Sequence, residues 1–376
     1  MKIKIGINAS RARSGGAVAH LTGLLQEGSP LSLGIEEVHV WTYSELLARL
    51  PDKAWLIKHE VPVGARGITS QLWWERFVLP RDLRSSKISI LLNVDAGSVC
   101  RFLPAVTMSR DMLSYEPGEI ERYGLSKARL RLIALRYIQN RAFQHADGVI
   151  FLTKYAASVI QRSCGHLGNV AYIPHGVSGI FTDCISGSTF SSSDIRCLYI
   201  SNCAPYKHQW QVVKALKILH DAGRNVSLDL VGGGEGKAQV RLRNQIQESD
   251  PSGKFVRLHG FESKDRLVDY LKNADIFIFA SSCENMPNTL VEAMSVGLPV
   301  ACSNRGPMPE VLQDGGVYFD PEEPDSIVRA VEEIIESPKI RTRLSARSQS
   351  LAAQYTWQRC SHETFSYLKQ IVSSGN

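Results

Sequence analysis

Two carboxylates eight positions apart, Glu284 and Glu292, flank a short loop in the second half of the chain, and both can accept hydrogen bonds from hydroxyl groups. An apolar run precedes the loop. Pro287 suits the first position of a helix and Asn288 suits its cap, so we predict a strand, a loop and a helix start. Free amides at that start favour an anion such as phosphate; they belong to Asn288, Thr289 and Leu290. An ordinary strand, loop and helix with one solvated and one capping glutamate explains the segment equally well.

Three further loops in the second half follow predicted strands. Lys207 is expected at a helix start, where a cation is unfavourable unless an anion binds there, so we predict a phosphate-binding lysine. The other two loops contain glycines that let the main chain approach a nucleotide or a flat base, although a plain turn explains them too. They hold Gly232 and Gly233 in one loop, and Gly260 and Phe261 in the other.

Two loops in the first half could also hold an anion. Gly15 and Gly16 follow the first predicted strand and precede a helix, but the spacing is not the Gly-x-Gly-x-x-Gly of nicotinamide dinucleotide sites. Arg110 and Asp111 stand side by side just past another strand. The arginine could meet a phosphate and the carboxylate a sugar hydroxyl, or the two could simply pair with structural neighbours.

The elements that must position these residues alternate between short β-branched runs and amphipathic segments, which is typical of parallel sheets with crossover helices. We predict α/β architecture with two tandem doubly wound domains and ligands in the cleft between them. The predicted strands are 3–8, 38–42, 88–92, 106–108, 148–152 and 170–173, then 197–200, 227–231, 256–258, 275–279, 299–302 and 317–319. The predicted domains are 1–176 and 195–355, with a linker at 177–194 and a last helix at 356–372.

Composition limits the class of protein. The 376 residues suit two domains, and the eight cysteines form no Cys-x-x-Cys pair, so we expect neither structural zinc nor a disulfide framework and predict a reducing, cytoplasmic location. No apolar run reaches the roughly 20 residues of a membrane span. Residues 1–175 hold 22 Lys and Arg against 14 Asp and Glu. Residues 126–143 predict a basic amphipathic helix, which could touch an anionic membrane or be the solvated face of a core helix.

These motifs resemble glycosyltransferase family 4, the retaining GT-B enzymes, in the type that builds bacterial polysaccharide and lipopolysaccharide. The resemblance rests mainly on Lys207, the glycines after 231, His259-Gly260, and Glu284 followed by Glu292 and Ala293-Met294-x-x-Gly297-x-Pro299. It implies two Rossmann-like domains, with the last helix returning to the first. In the family, the position of Glu284 contacts sugar hydroxyls and that of Glu292 holds the ribose.

The resemblance predicts a retaining, metal-independent hexosyltransferase that uses a GDP- or UDP-linked sugar and no cofactor. A saccharide or lipid-linked saccharide is the expected acceptor, with peripheral membrane contact through 126–143 and no nucleic acid partner. The predicted catalytic residues are Glu284, Lys207 and Asp111. The predicted donor-binding residues are Gly15, Gly16, Arg110, Asn202, Lys207, Gly232, Gly233, Gly260, Phe261, Asn288, Thr289, Leu290 and Glu292. Alternatives are a nucleotide-sugar epimerase or hydrolase, a non-catalytic nucleotide- or sugar-binding subunit, and an oxidoreductase.

Two departures from the family pattern affect the phosphate and proton chemistry. The family often has Arg five positions before the lysine, where this chain has Asn202, and Arg11, Arg13 or Arg110 could replace that cation. Many relatives have His before Asp where this chain has Arg110. Because arginine stays charged at working pH, a proton-handling role at that position is in doubt.

Overall fold

The computed structural model describes residues 2–13, 15–61, 67–182 and 194–374. Its strands are β1 (Ile3–Asn8), β2 (Ile35–Thr42), β3 (Leu56–Glu60), β4 (Ile90–Asn93), β5 (Ala105–Met108), β6 (Gly148–Phe151), β7 (Val170–Tyr172), β8 (Ile195–Ile200), β9 (Val226–Val231), β10 (Val256–Leu258), β11 (Ile276–Phe279), β12 (Val300–Ser303) and β13 (Gly316–Phe319).

The helices follow these strands. They are α1 (Gly15–Gln26), α2 (Ser44–Leu47), α3 (Ile68–Trp73), α4 (Leu79–Ser85), α5 (Lys127–His145), α6 (Lys154–Cys164), α7 (Gly179–Thr182), α8 (Gln209–Asp221), α9 (Gly236–Ser249), α10 (Lys264–Asn273), α11 (Asn288–Val296), α12 (Met308–Leu312), α13 (Pro324–Glu336), α14 (Pro338–Ala352) and α15 (Trp357–Ser374). A π-helical turn, Trp74–Val78, joins α3 to α4.

The strands form two sheets with parallel pairing. The first has the order β3-β2-β1-β4-β5-β6-β7 and the second β10-β9-β8-β11-β12-β13. Strand order reverses between β1 and β4 in one sheet and between β8 and β11 in the other. In doubly wound sheets, ligands bind at such reversals, outside the carboxyl ends of the strands.

Continuous apolar runs explain the central strands, because a parallel sheet covered by helices on both faces buries both faces of each strand. Every side chain of β4 and of β11 is buried, and the latter reads Ile-Phe-Ile-Phe. The strand β3 was not predicted. Its sequence, Leu-Ile-Lys-His-Glu, is half polar because it lies at the edge of the first sheet, where Ile57 and Glu60 are exposed.

The chain divides into two compact units. One comprises residues 1–176 and 355–376, and the other residues 177–354. Within the first unit, α15 packs against α1, where the Trp357 ring lies so close to Gly23 that a Cβ there would clash with it. The predicted linker at 177–194 is described only in part, because 183–193 lie outside the described residues. Its first residues form α7, in which Phe181 is fully buried within the second unit.

Candidate functional site

A lysine and a glutamate meet at the reversal of the second sheet. Lys207 lies in the loop after β8 and Glu284 in the loop after β11, and the Lys207 ammonium donates a hydrogen bond to Glu284 Oε1. Both side chains are largely buried, with 10% and 16% of their surface exposed. An ammonium has three donors and a carboxylate has several acceptor sites, so each group keeps capacity for a ligand.

Lys207 is not at the start of an α-helix, and that prediction was wrong. Pro205–Lys207 form a 3₁₀ turn, His208 follows in the left-handed region with φ of 47°, and α8 begins at Gln209. A hydrogen bond fixes this turn, because the buried Tyr199 hydroxyl donates to the Lys207 carbonyl at 2.7 Å. The His208 ring also contacts Ser282 Oγ at 2.8 Å, which ties the turn to the loop after β11.

The cap residue of α11 lies one position earlier than predicted. Pro287 is the cap residue and Asn288 is the first helical residue, so the prediction of Asn288 as cap was wrong. Pro287 supplies the carbonyl that accepts from the Val291 amide at 3.1 Å. Thr289 Oγ1 donates to the Ile200 carbonyl at the end of β8, which fixes the helix start beside that strand. Leu290 is fully buried and anchors the first turn.

Glu292 lies one turn into α11 and is only partly exposed. Burial raises the pKa of its carboxyl from the ordinary 4.5 to about 7, and the positive charge of Lys264 opposes this only weakly. A carboxyl group with this pKa can both accept and donate hydrogen bonds near neutral pH.

The glycine loops of the second unit are joined through their main chains. The Gly232 amide donates to the Gly260 carbonyl at 3.1 Å, and the Cys203 amide donates to the Gly233 carbonyl at 3.1 Å. Gly232 has φ of 125°, and a Cβ there would lie 2.3 Å from the Ser201 carbonyl oxygen. The loops after β8, β9 and β10 therefore form one surface. Asn202 and Phe261 are exposed on these loops, and 90% of the Phe261 surface is open.

Among the described residues, the His259 ring has two polar contacts, both within the second unit. Its ring contacts Asp229 Oδ1 at 2.7 Å through Nε2, and the Tyr270 hydroxyl at 3.1 Å through Nδ1. Both ring nitrogens are thus engaged within the second unit.

The first-half candidates lie in the first unit. Gly15 and Gly16 open α1, and a Cβ at Gly15 would meet nothing within 4 Å. Arg110 and Asp111 follow β5. Burial lowers the pKa of the Arg110 guanidinium to about 10, and Arg110 Nη1 is buried with no hydrogen-bond partner among the described residues. Burial also raises the pKa of Asp111, whose Oδ1 accepts from the Leu113 amide at 3.0 Å.

Sequence reasoning missed a buried ion pair at the reversal of the first sheet. Arg11 donates from Nε and Nη2 to Glu75 at 2.6 and 2.9 Å, and the Glu75 side chain is fully buried. Ser10 Oγ and the Val99 amide also donate hydrogen bonds to the Glu75 carboxylate, each at 3.1 Å. Glu75 lies in the π-helical turn, 64 positions from Arg11, and no local pattern signals such a pair. The Arg11–Glu75 pair lies within the first unit.

Two more residues missed by the sequence lie near Arg110. Asp95, in the loop after β4, acts electrostatically on Arg11, Arg110 and Asp111, and its Oδ1 accepts from the Gly97 amide at 2.7 Å. His20 is buried on α1, and burial, followed by the charge of Arg110, holds its pKa well below the ordinary 6.5. His20 is therefore neutral at physiological pH.

The second unit contains a segment that is similar to a known family. Residues 186–351 match the family model described as glycosyl transferases group 1. The match to this family covers 166 of the 376 residues, which is less than half of the chain. The O-antigen chain mannosyltransferase B of Escherichia coli is 27% identical over 174 residues, which is 46% of this chain and 45% of that protein. The chain thus spans about half the length of that curated relative.

Solved structures match nearly the whole chain. The sucrose-phosphate synthase of Thermosynechococcus elongatus superposes with a TM-score of 0.78 at 14% identity, over 99% of this chain and all of that one. Alr3699/HepE of Anabaena, solved in complex with UDP-glucose, gives 0.72 at 18% identity over 99% and 100%. These similarities and the two parallel sheets show that the chain has the GT-B fold, with two Rossmann-like domains.

In the described part of the chain, no group of three or more His, Cys, Asp or Glu side chains is arranged to hold a metal ion. No helix in that part is long and apolar enough to cross a membrane. Seven cysteines in that part are free thiols.

Proposed function

We propose that this protein is a glycosyltransferase that moves a hexose-type sugar from a nucleoside diphosphate donor to a saccharide or lipid-linked saccharide. The observation that carries the proposal is the contact of Lys207 with Glu284 at the strand-order reversal of a glycosyl transferases group 1 domain. The similarity to an O-antigen mannosyltransferase supports a role in cell-surface polysaccharide synthesis. The UDP-glucose bound by a structural neighbour supports the donor class.

The second unit has the groups that donor chemistry needs. As the bond between the anomeric carbon and the phosphate oxygen breaks, the diphosphate gains negative charge. The Lys207 ammonium and the amides at the start of α11 stabilise that charge in a partly desolvated site, without a metal ion. Glu284 accepts hydrogen bonds from the sugar hydroxyls, and Glu292 binds the ribose.

Transfer occurs on one face of the sugar with retention of configuration. The acceptor oxygen bonds to the anomeric carbon on the face from which the diphosphate leaves, and the departing phosphate oxygen takes the acceptor proton. Asp111 binds an acceptor or sugar hydroxyl. Burial raises the pKa of its carboxyl, which makes Asp111 a stronger base than a solvated aspartate, and the departing phosphate oxygen on the reacting face remains the proton acceptor in this scheme.

The first unit binds the acceptor in this proposal. Its helix α5 has five Lys and Arg residues and no acid, and it exposes Leu130 and Tyr137, of which 69% and 61% of the surface is open. A basic helix with exposed apolar side chains suits contact with an anionic membrane, where a lipid-linked acceptor is found.

Transfer of labelled sugar from UDP- and GDP-hexoses to lipid-linked and free saccharides tests the proposal. Glu284→Ala should abolish transfer while the nucleotide still binds, because it removes an acceptor of sugar hydroxyls and not a phosphate ligand. Glu333→Ala, an exposed carboxylate on α13, is the matched control and should keep full activity. Wild-type transfer by Glu284→Ala would refute the role, and release of free sugar or an epimer from donor alone would favour a hydrolase or epimerase.

A further inference from the structure

A cavity of about 490 Å³ in the first unit plays no part in the donor chemistry. It is lined by residues of β4 and β5, of the chain from Ser98 to Leu103, and of the last turn of α5 and the residue after it. Six of its twelve lining residues are apolar. The apolar lining residues are Cys100, Phe102, Leu103, Ala105, Ala142 and Ala146.

One end of the cavity adjoins the polar groups at the reversal of the first sheet. Asn93 and Ser98 line that end, and Asn8 Nδ2 donates to Asn93 Oδ1 and to Ser98 Oγ, each at 3.1 Å. Asn8 Oδ1 in turn accepts from Ser10 Oγ, which also donates to Glu75, the partner of Arg11. The cavity therefore has a polar end continuous with the acceptor-side residues and an apolar remainder.

The apolar remainder is open to solvent through side chains that a folded protein normally covers. Leu103 exposes 61% of its surface, and Cys100 is the one cysteine of the described chain that is not buried. Burial of an exposed leucine and of the concave apolar surface beside it under another apolar group lowers the free energy.

The charge around the cavity selects the kind of apolar ligand. Arg101 lines the cavity, and α5, whose last turn also lines it, has five basic residues and no acid between 126 and 144. This positive field favours a ligand that carries a negative charge as well as a hydrocarbon chain.

We propose that this cavity binds the hydrocarbon chain of an anionic amphiphile, an alkyl or prenyl phosphate, with its phosphate beside Arg101. The inference rests on the proposed function in that such a chain would be the lipid part of a lipid-linked acceptor. The cavity thereby selects lipid-linked over free saccharide acceptors.

Calorimetric titration of the full chain with butyl, hexyl and octyl phosphate, without nucleotide sugar and below micelle concentrations, tests the site. Each buried methylene contributes about 0.8 kcal/mol, so affinity should rise about fourfold per methylene. Inorganic phosphate should bind far more weakly than octyl phosphate. Equal affinity for all three esters would overturn the proposal, and so would inorganic phosphate binding as tightly as octyl phosphate, since an anion site alone explains both.

Two variants place the binding in the cavity. Ala142→Trp fills it from a half-buried helix position and should abolish the dependence on chain length, whereas Ala134→Trp, exposed on the same helix and outside the cavity, should keep it. Leu103→Ser removes an exposed side chain at little risk to folding and should weaken octyl phosphate binding about fivefold. A wild-type chain-length dependence in Ala142→Trp together with undiminished octyl phosphate binding in Leu103→Ser would overturn the proposal.

The proposed function can fail separately from this site. If sugar transfer and nucleotide binding are absent while chain-length dependence and the Ala142→Trp effect persist, the glycosyltransferase proposal fails and the lipid site stands. If transfer proceeds with free saccharides and the alkyl phosphates show no chain-length dependence, the lipid site fails and the enzyme proposal stands.

Discussion

The environment of each charged residue assigns it a different task. Lys207 and Glu284 are both largely buried and joined to one another, so neither carries an uncompensated charge, yet both keep hydrogen-bonding capacity. Glu292 has no such partner among the described residues, and burial raises its pKa to about 7. Glu75 accepts four hydrogen bonds, two of them from Arg11, and has little capacity left for a ligand.

The pKa of Glu292 predicts a pH-dependent stability. Its folded-state pKa of about 7 lies above the ordinary 4.5, so the folded protein binds this proton more tightly and the stability it confers falls as pH rises through about 7. Glu292→Gln cannot ionise. Its melting temperature should therefore fall less than that of the wild type between about pH 5 and pH 8. Calorimetric melting across this range checks it, with the exposed Glu333→Gln as control; parallel curves for Glu292→Gln and wild type would contradict the assignment.

The ion pair of Arg11 and Glu75 predicts a large stability effect. Glu75→Gln leaves the mostly buried Arg11 without its counter-charge and should lower the free energy of unfolding by about 3 kcal/mol. Lys217→Gln breaks an exposed pair with Asp221 and should cost about 0.5 kcal/mol or less. Urea denaturation measures both. Similar values for the two variants would show that the Arg11–Glu75 pair is solvated and not structural.

At the level of elements, the hydrophobic pattern was sufficient for most strands. The central strands are short apolar runs, and the predicted β1 and β10 have the bounds observed. The edge strand β3 was missed because half of it faces solvent and carries polar residues. The start of α8 was misplaced because the Pro-Tyr-Lys segment closes as a 3₁₀ turn, and the left-handed His208 that follows depends on its tertiary contact with Ser282.

The sequence located the site loops better than it located the contacts between them. Lys207, Glu284, Gly232 and Gly260 were each assigned to a loop after a strand, where the structure has them. The two ion pairs join residues far apart in sequence. Lys207 and Glu284 are 77 positions apart, and Arg11 and Glu75 are 64 positions apart. Such contacts follow from sheet order, which periodicity does not specify.

The contacts between the glycine loops predict that Gly232 and Gly260 differ in how far they tolerate a side chain. Gly232→Ala forces a side chain into a left-handed conformation and toward the Ser201 carbonyl, so it should lower the free energy of unfolding by about 2 kcal/mol or more. Gly260→Ala has open space around its Cβ and no positive φ, so its stability should be unchanged. Thermal and urea unfolding of both variants measure this; equal stability would mean that the loop after β9 is not constrained by the loop after β8.

The helix α5 predicts binding to anionic membranes. Replacing Arg129, Arg131 and Arg136 with Glu should release the protein from vesicles rich in anionic lipid, because each basic residue near such a surface contributes about 1 kcal/mol. The same change in charge at the exposed Lys237, Arg243 and Lys339 of the second unit should leave partitioning nearly unaltered. Sedimentation with vesicles measures the bound fraction, and unchanged partitioning of the α5 variant would make that helix an ordinary solvated surface.

Across the whole molecule, the same architecture appears twice with different chemistry. Each unit is a doubly wound sheet with candidate residues beside its strand-order reversal. In the second unit these are a lysine, a helix start and acceptor carboxylates, which suit a nucleoside diphosphate sugar. In the first they are the Arg11–Glu75 pair, Asp95 and Asp111 beside an apolar cavity and a basic helix, which suit a lipid-linked acceptor.

Titration of the full chain with uridine, guanosine and adenosine diphosphates tests the donor site most directly. One of these nucleotides should bind at a single site, and Lys207→Met should weaken that binding at least about tenfold, since it removes a charge from the phosphates. Lys214→Met, a lysine of α8 outside the site, is the control and should bind as the wild type does. Failure of all three nucleotides to bind, or undiminished binding to Lys207→Met, would contradict the account.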